Sequence, residues 1–179
     1  MSSEKARLAT MWFYGCSGCH MSFLDLDERL VDLAKVATLV HSPIVDIKHF
    51  PPDVALTLIE GAVANVEQVE TLREVRKRTK LLVSLGDCAV TGNVTALRNA
   101  WEHGDRAVLE RAYADPSNLN AQIPNLVPKL LDYARPLHEI VKIDHYIPGC
   151  PPNADQIYYV VGELLAGRQP VMEGRSKYG

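Results

Sequence analysis

Apolar and polar positions along the chain follow two alternating rhythms. Short runs rich in aliphatic and β-branched residues have the length and composition of buried strands: 8 to 14, Val36 to Val40, Val54 to Ile59, Leu81 to Leu85 and Val141 to Ile147. Between them, apolar residues recur every three or four positions. Phe23, Leu26, Leu30 and Leu33 form one such stripe, set among Asp25, Asp27, Glu28 and Arg29, and predict a helix after Gly15. Val66, Val69, Leu72 and Val75 predict a second helix, opened by Asn65 with Gln68 as a capping box. Ile157, Val160, Val161, Leu164 and Leu165 predict a last one, capped by Asn153 with Gln156 and stopped at Gly167.

Strands that alternate with helices predict an α/β fold, a mostly parallel open sheet covered by helices on both faces. Such sheets bind ligands beyond the carboxyl ends of their strands. Trp12, Phe13 and Tyr14 belong to the first strand and are expected in the core. The stretch from Val94 to Leu137 is less regular, and Pro116, Pro124, Pro128 and Pro136 rule out one long helix there. It reads as a long surface excursion or a segment wrapped against a partner. With no repeat, low-complexity tract or linker, residues 1–179 read as a single domain, with 1–7 and 168–179 as flexible or partner-contacting tails.

Composition narrows the function classes. A formal charge of −3 gives no electrostatic reason to expect nucleic acid. Basic residues concentrate only at Arg73 to Lys80, where they alternate with apolar positions as on a solvated helix face. No apolar run approaches the roughly 18 residues of a membrane span. The segment from Leu8 to Cys16 ends like a lipoprotein signal, but its apolar part is too short and no twin-arginine pair precedes it. A cytoplasmic protein without membrane association is expected.

The chemistry lies in the cysteines. All four sit in glycine-framed loops that follow strands: Cys16 and Cys19 in Gly15-Cys-Ser-Gly-Cys19, Cys88 in Gly86-Asp-Cys88, and Cys150 in Gly149-Cys-Pro-Pro152. Thiolates converging from neighbouring strand ends make a site for a metal or an iron–sulfur cluster. Structural zinc sites draw on two close pairs. One pair joined to two distant single cysteines better suits a cluster held between loops of a formed domain, and glycines there let main-chain N–H groups approach it. A zinc site, a thioredoxin-like redox pair at Cys16 and Cys19, and two disulfides are the alternatives. Glu60 ends the third strand on the same rim, as a group near the site or as a carboxylate satisfied by loop N–H groups. Asp87 reads as a turn former or a loop-orienting group, and His20 as packing or hydrogen bonding. His41, His49, His103, His138 and His145 have no ligand spacing.

Residues 16 to 25 (Cys-Ser-Gly-Cys-His-Met-Ser-Phe-Leu-Asp), 86 to 92 (Gly-Asp-Cys-Ala-Val-Thr-Gly) and 148 to 155 (Pro-Gly-Cys-Pro-Pro-Asn-Ala-Asp) resemble the proximal-cluster motifs of [NiFe] hydrogenase small subunits. The similarity runs from residue 8 to residue 168. It implies a flavodoxin-like fold, one [4Fe–4S] cluster on Cys16, Cys19, Cys88 and Cys150, and, through the family's Glu-Gly motif, a part for Glu60 in proton movement. It further implies a hydrogenase large subunit as partner, which holds the nickel–iron centre with two Cys-x-x-Cys pairs of its own. This chain has one pair, needed for the cluster, so hydrogen cleavage belongs to the partner. An export signal, an added domain with a cluster-binding histidine, and ferredoxin-type cysteines mark other branches, and none is expected here. The chain resembles the short small subunits of soluble, bidirectional, NAD-linked hydrogenases, which work with diaphorase subunits carrying FMN and further iron–sulfur clusters. Respiratory complex I has a cousin subunit with adjacent cysteines at its first motif, whereas Ser17 and Gly18 separate them here. Short subunits of ferredoxin-linked hydrogenases share the wider spacing; they and a complex I-like oxidoreductase stay as alternatives, as does a stand-alone Cys₄ sensor.

Overall fold

The computed structural model describes residues 5–175. Seven strands form, β1 (Ala6–Trp12), β2 (Ala37–His41), β3 (Val54–Glu60), β4 (Val63–Asn65), β5 (Thr79–Leu85), β6 (Leu130–Arg135) and β7 (His145–Ile147). Six α-helices accompany them, α1 (Gly18–Leu24), α2 (Arg29–Val36), α3 (Val66–Arg78), α4 (Asp87–Thr91), α5 (Gly104–Tyr113) and α6 (Ala154–Leu165). The main sheet runs β2-β1-β3-β5-β7 with every pair parallel, which is the flavodoxin-like order. Because the strands all run parallel, the carboxyl ends of β1, β3, β5 and β7 share one rim, and the order reverses beside β1.

Alternation along the strands divides the core in two. Leu56, Leu58, Val83 and Leu85 face α1, α2 and α6, where Phe23, Leu33, Ile157, Val160 and Val161 meet them. Ile59 and Leu82 face the other way, onto Leu72 and Val75 of α3 and Ala89 of α4. The apolar stripes seen in the sequence are therefore the faces that close the sheet. Both predicted caps form: Asn65 Oδ1 accepts from the Gln68 N–H at 2.9 Å, and Asn153 Oδ1 from the Gln156 N–H at 2.8 Å. Gln68 returns its bond to the Ala64 N–H at 2.8 Å, one residue before the cap.

Several expectations are corrected. The helix after Gly15 is two helices, because Asp27 adopts a left-handed φ of 51° in the turn between them. The last sheet strand shrinks to His145–Ile147, since Leu137–Glu139 forms a 3-10 turn and Asp144 is drawn away to Arg76. Trp12 and Tyr14 are not core: they are 42% and 46% exposed, Trp12 on the last rung of β1 opposite Glu60 and Tyr14 just beyond it opposite Ala62, and only Phe13 between them packs on the second core cluster. The irregular stretch holds a 3-10 segment (Asn93–Ala100), α5 and β6, with β6 pairing antiparallel to β4 apart from the main sheet. Of the segments expected as tails, 1–4 and 176–179 lie outside the described residues. Ala6 and Arg7 already belong to β1, and Arg175 lies over the Tyr159 ring at 4.3 Å.

Within the basic run, Arg73 and Lys77 are exposed as expected, but Arg76 is not a free solvated charge. Its guanidinium meets Asp144 Oδ2 at 2.5 Å and donates to the carbonyls of Thr79 at 2.5 Å and Lys80 at 3.0 Å. Asp144 Oδ2 also accepts the Leu82 N–H at 2.8 Å, so one carboxylate ties α3, β5 and the approach to β7. Burial opposes the charge on Asp144, but the Leu82 N–H and the guanidinium outweigh it and hold the carboxyl below its ordinary range. Asp144→Ala should cost about 2–3 kcal/mol in denaturant unfolding, because it strands a half-buried guanidinium. A depressed native pKa means the contribution is fully present above the unfolded value. The advantage of the wild type should therefore shrink as the pH falls below about 4.

Candidate functional site

Each cysteine loop begins where a strand ends, and each is fastened to its neighbour. Past β1, the Phe13 N–H donates to Glu60 O at 2.9 Å, the Tyr14 N–H to Ala62 O at 3.0 Å, and the Ala62 N–H returns to Tyr14 O at 2.8 Å. This brings Gly61 so close that a Cβ there would lie 2.8 Å from the Phe13 carbonyl carbon. Ser17, at a left-handed φ of 65°, then opens α1 and carries Cys19 into its first turn. At the end of β5, the Gly86 N–H donates to Ile147 O at 2.7 Å and the Asp87 N–H to Gly149 O at 2.9 Å. Asp87 Oδ1 accepts the Gly149 N–H in return at 2.7 Å, locking the loop of Cys88 to that of Cys150. Asp87 is thus the loop-orienting group rather than a plain turn former. Ser22 completes the ring by donating to Pro152 O at 2.5 Å.

The four thiols share one basin. Cys88 is buried, Cys19 half-buried, and Cys16 and Cys150 exposed, so the basin opens outward on one side. All four are free thiols. Cys19 Sγ lies so near Gly86 that a Cβ on that glycine would be 2.2 Å from the sulfur. Burial pushes the Cys19 thiol far up from its ordinary pKa, and the charges of Glu60, Cys16, Cys88 and Cys150 push further. Cys88 is raised by burial first, then by Cys150 and Cys16, against a lowering hydrogen bond from the Thr95 N–H. Four thiolates gathered in one basin carry negative charge together only around a strongly positive group, so the donor set fits a metal-bearing cofactor. No three His, Cys, Asp or Glu side chains among the described residues gather closely enough to hold a single ion.

Glu60 is 2% exposed on the same rim. One oxygen, Oε2, accepts the His20 N–H at 2.7 Å and lies 3.1 Å from the ring Nδ1, which is not aligned to bond with it. The His20 ring packs edge-on against Trp12, 5.3 Å between centroids, and takes no ligand position. His41 and His138 pack on Phe50 and Tyr146. Sequence reasoning did not find the bond from Ser22 to the Pro152 carbonyl, because a main-chain acceptor leaves no trace in residue identity. Nor did it find the bond from Asp87 to Gly149, although an acidic residue beside a cysteine was a usable signal.

Comparison with known proteins follows the same lines. A family model described as the NADH ubiquinone oxidoreductase 20 kDa subunit matches residues 16–164. The NAD-reducing hydrogenase HoxS subunit delta of Cupriavidus necator is 41% identical over 169 residues, covering 92% of this chain and 80% of the relative. A subunit of the F420-non-reducing hydrogenase of Methanothermobacter marburgensis is 38% identical over 173 residues, covering 93% of this chain but only 56% of the relative. Among solved structures, a chain of an NAD⁺-reducing [NiFe]-hydrogenase in the H₂-reduced state superposes with a TM-score of 0.92 at 40% identity, covering 98% of this chain and 100% of that one. A [NiFeSe]-hydrogenase chain from Desulfomicrobium baculatum, at 18% identity and a TM-score of 0.56, shares the fold.

Proposed function

The chain belongs to the family of the NADH ubiquinone oxidoreductase 20 kDa subunit and, within it, to the hydrogenase small subunits; from that membership we propose that it is the electron-transfer subunit of an NAD-reducing [NiFe] hydrogenase, H₂ + NAD⁺ = H⁺ + NADH. In this reading the chain bridges a large subunit, which holds the nickel–iron centre, and diaphorase subunits with FMN and further iron–sulfur clusters. Cys16, Cys19, Cys88 and Cys150 hold one [4Fe–4S] cluster, which when bound takes up and releases single electrons. The observation that carries the reading is the meeting of all four thiols in one basin at the carboxyl ends of β1, β5 and β7.

The chain's own residues do the rest. Gly61 and Gly86 let the loops close on the basin, Asp87 fixes the spacing of the Cys88 and Cys150 loops, and buried Glu60 anchors α1 through the His20 N–H. Beside the cysteine loops, Trp12, Tyr14, Met21 and Tyr146 stand exposed, an apolar border suited to burial under a large subunit. Among the described residues no helix is long and apolar enough to cross a membrane; a cytoplasmic complex is part of the proposal.

The test is metal and sulfide analysis of the anaerobically purified complex, with hydrogen-dependent NAD⁺ reduction as its activity. About four irons and four sulfides are expected on this chain after partner clusters are subtracted, with nickel in the large subunit. One zinc and no sulfide would overturn the reading in favour of a structural or sensory Cys₄ protein.

A further inference from the structure

Pro148, Pro151 and Pro152 surround Cys150, so the loop that carries this cysteine has few N–H groups of its own to offer. What it presents to the rest of the fold is carbonyl oxygen, and two buried side chains meet it. Gln156 Nε2 donates to Pro148 O at 3.0 Å, two residues before the cysteine. Ser22 Oγ donates to Pro152 O at 2.5 Å, two residues after it. Cys150, itself exposed, is thus gripped on both flanks, from α6 on one side and α1 on the other.

Neither donor is there by default. The caps of α3 and α6 share the form Asn-x-x-Gln, yet their glutamines act differently. Gln68 Oε1 accepts the Ala64 N–H, one residue before its cap. The matching position before Asn153 is Pro152, which has no N–H, and the Gln156 amide turns to the Pro148 carbonyl instead. Ser22 stands inside α1, where alanine would suit the helix better and a buried hydroxyl needs a partner. It lies one helical turn beyond Cys19, so its bond also fixes the Cys150 loop against the helix that carries Cys19.

We infer that Ser22 and Gln156 are positioning residues for Cys150: by holding the carbonyls on either side of it, they keep its thiolate on the cluster and oppose loss of the iron at that corner. The inference rests on the proposed reading of the four cysteines as cluster ligands. The loss they oppose is oxidative. In it [4Fe–4S]²⁺ gives one electron to ferricyanide, which becomes ferrocyanide, and one Fe²⁺ to the solvent. The Cys150 Sγ–Fe bond breaks, the freed thiolate takes a proton from water, and [3Fe–4S]⁺ stays on the other three cysteines.

The experiment follows that loss in the intact complex, purified anaerobically and then treated with ferricyanide. Electron paramagnetic resonance reads the three-iron form, and a chelator reads the released iron. Partner clusters contribute equally in every variant, so a difference from the wild type belongs to this chain. Ser22→Ala and Gln156→Met each remove one donor with little change of volume. Each should speed the three-iron signal about 10-fold, the low end of what a group orienting a metal ligand contributes. Asn65→Ala is the control, since it removes the cap bond of α3 and touches neither carbonyl. It should lower the melting temperature and leave the rate at the wild-type value. If Ser22→Ala and Gln156→Met also lower the melting temperature but leave the rate unmoved, they are structural pins and the inference is overturned. A rise of the same size in Asn65→Ala would mean general loosening and overturn it as well. Should Gln156→Met fail to assemble, Ser22→Ala, the smaller change, decides alone. A wild-type complex with no four-iron cluster on this chain would remove the cluster reading itself, a different failure from a cluster whose iron loss ignores both side chains.

Discussion

Cys88→Ser should abolish hydrogen-dependent NAD⁺ reduction by the complex while leaving the α/β sheet folded. Cys88 lies in α4, and its loop is fastened by main-chain bonds from Gly86 to Ile147 and from Asp87 to Gly149, none of which involves the sulfur. Serine is nearly isosteric with cysteine. The ligand is a different matter: a neutral hydroxyl is a poor partner for iron where a thiolate is required. Loss of a group that merely orients a metal ligand costs about 10–100-fold, so loss of the ligand itself should exceed about 100-fold in turnover. Iron and sulfide on the chain should fall together with the activity, while circular dichroism and subunit association stay near wild type. Full activity with the cluster intact would show that Cys88 is not a ligand.

That division between scaffold and ligand also marks what was legible in the residues. The cysteine motifs could be read because their chemistry is carried by residue type and spacing. The strand–helix alternation could be read because both faces of the sheet had to be apolar, so that Leu72 and Val75 announced one layer and Ile157, Val160 and Val161 the other. Ties between distant segments left no periodic signal. Asp87 and Gly149 lie 62 positions apart, and Arg98 reaches carbonyls 33 and 34 positions away. Arg76 illustrates the same limit: it has the spacing of a solvated helix face, yet it is claimed by Asp144, 68 positions on. Trp12 and Tyr14 misled in the opposite direction. Large aromatic residues on a strand read as core, but these two sit at and just past the carboxyl end of β1, on the cysteine rim, and there the same side chains become surface.

Gly86→Ala should cost the fold stability as well as the cluster, because it strains the loop and drives one of two cysteines from its place. Gly86 sits at φ 81° and ψ 162°, a region open essentially to glycine alone, so any side chain there is strained by about 1–3 kcal/mol before it meets a neighbour. Its first neighbour would be Cys19 Sγ, 2.2 Å from the new Cβ, with Gly149 O at 3.4 Å on the other side. Relief requires either Cys19 to swing out of the basin or β5 to withdraw, taking Cys88 with it. Adding overpacking to the strain gives an expected loss of about 2–5 kcal/mol in unfolding free energy. Bound iron should fall towards background, and hydrogen-dependent NAD⁺ reduction with it. Gly162 supplies the control within the same chain: it lies in α6 with nothing within 4 Å of where a Cβ would stand, so Gly162→Ala should stabilise the fold by about 0.5–1 kcal/mol through helix propensity and leave the cluster untouched. Equal iron content in the two alanine variants would mean that Cys19 does not need its place against Gly86, and the geometry assigned to the basin would have to be abandoned.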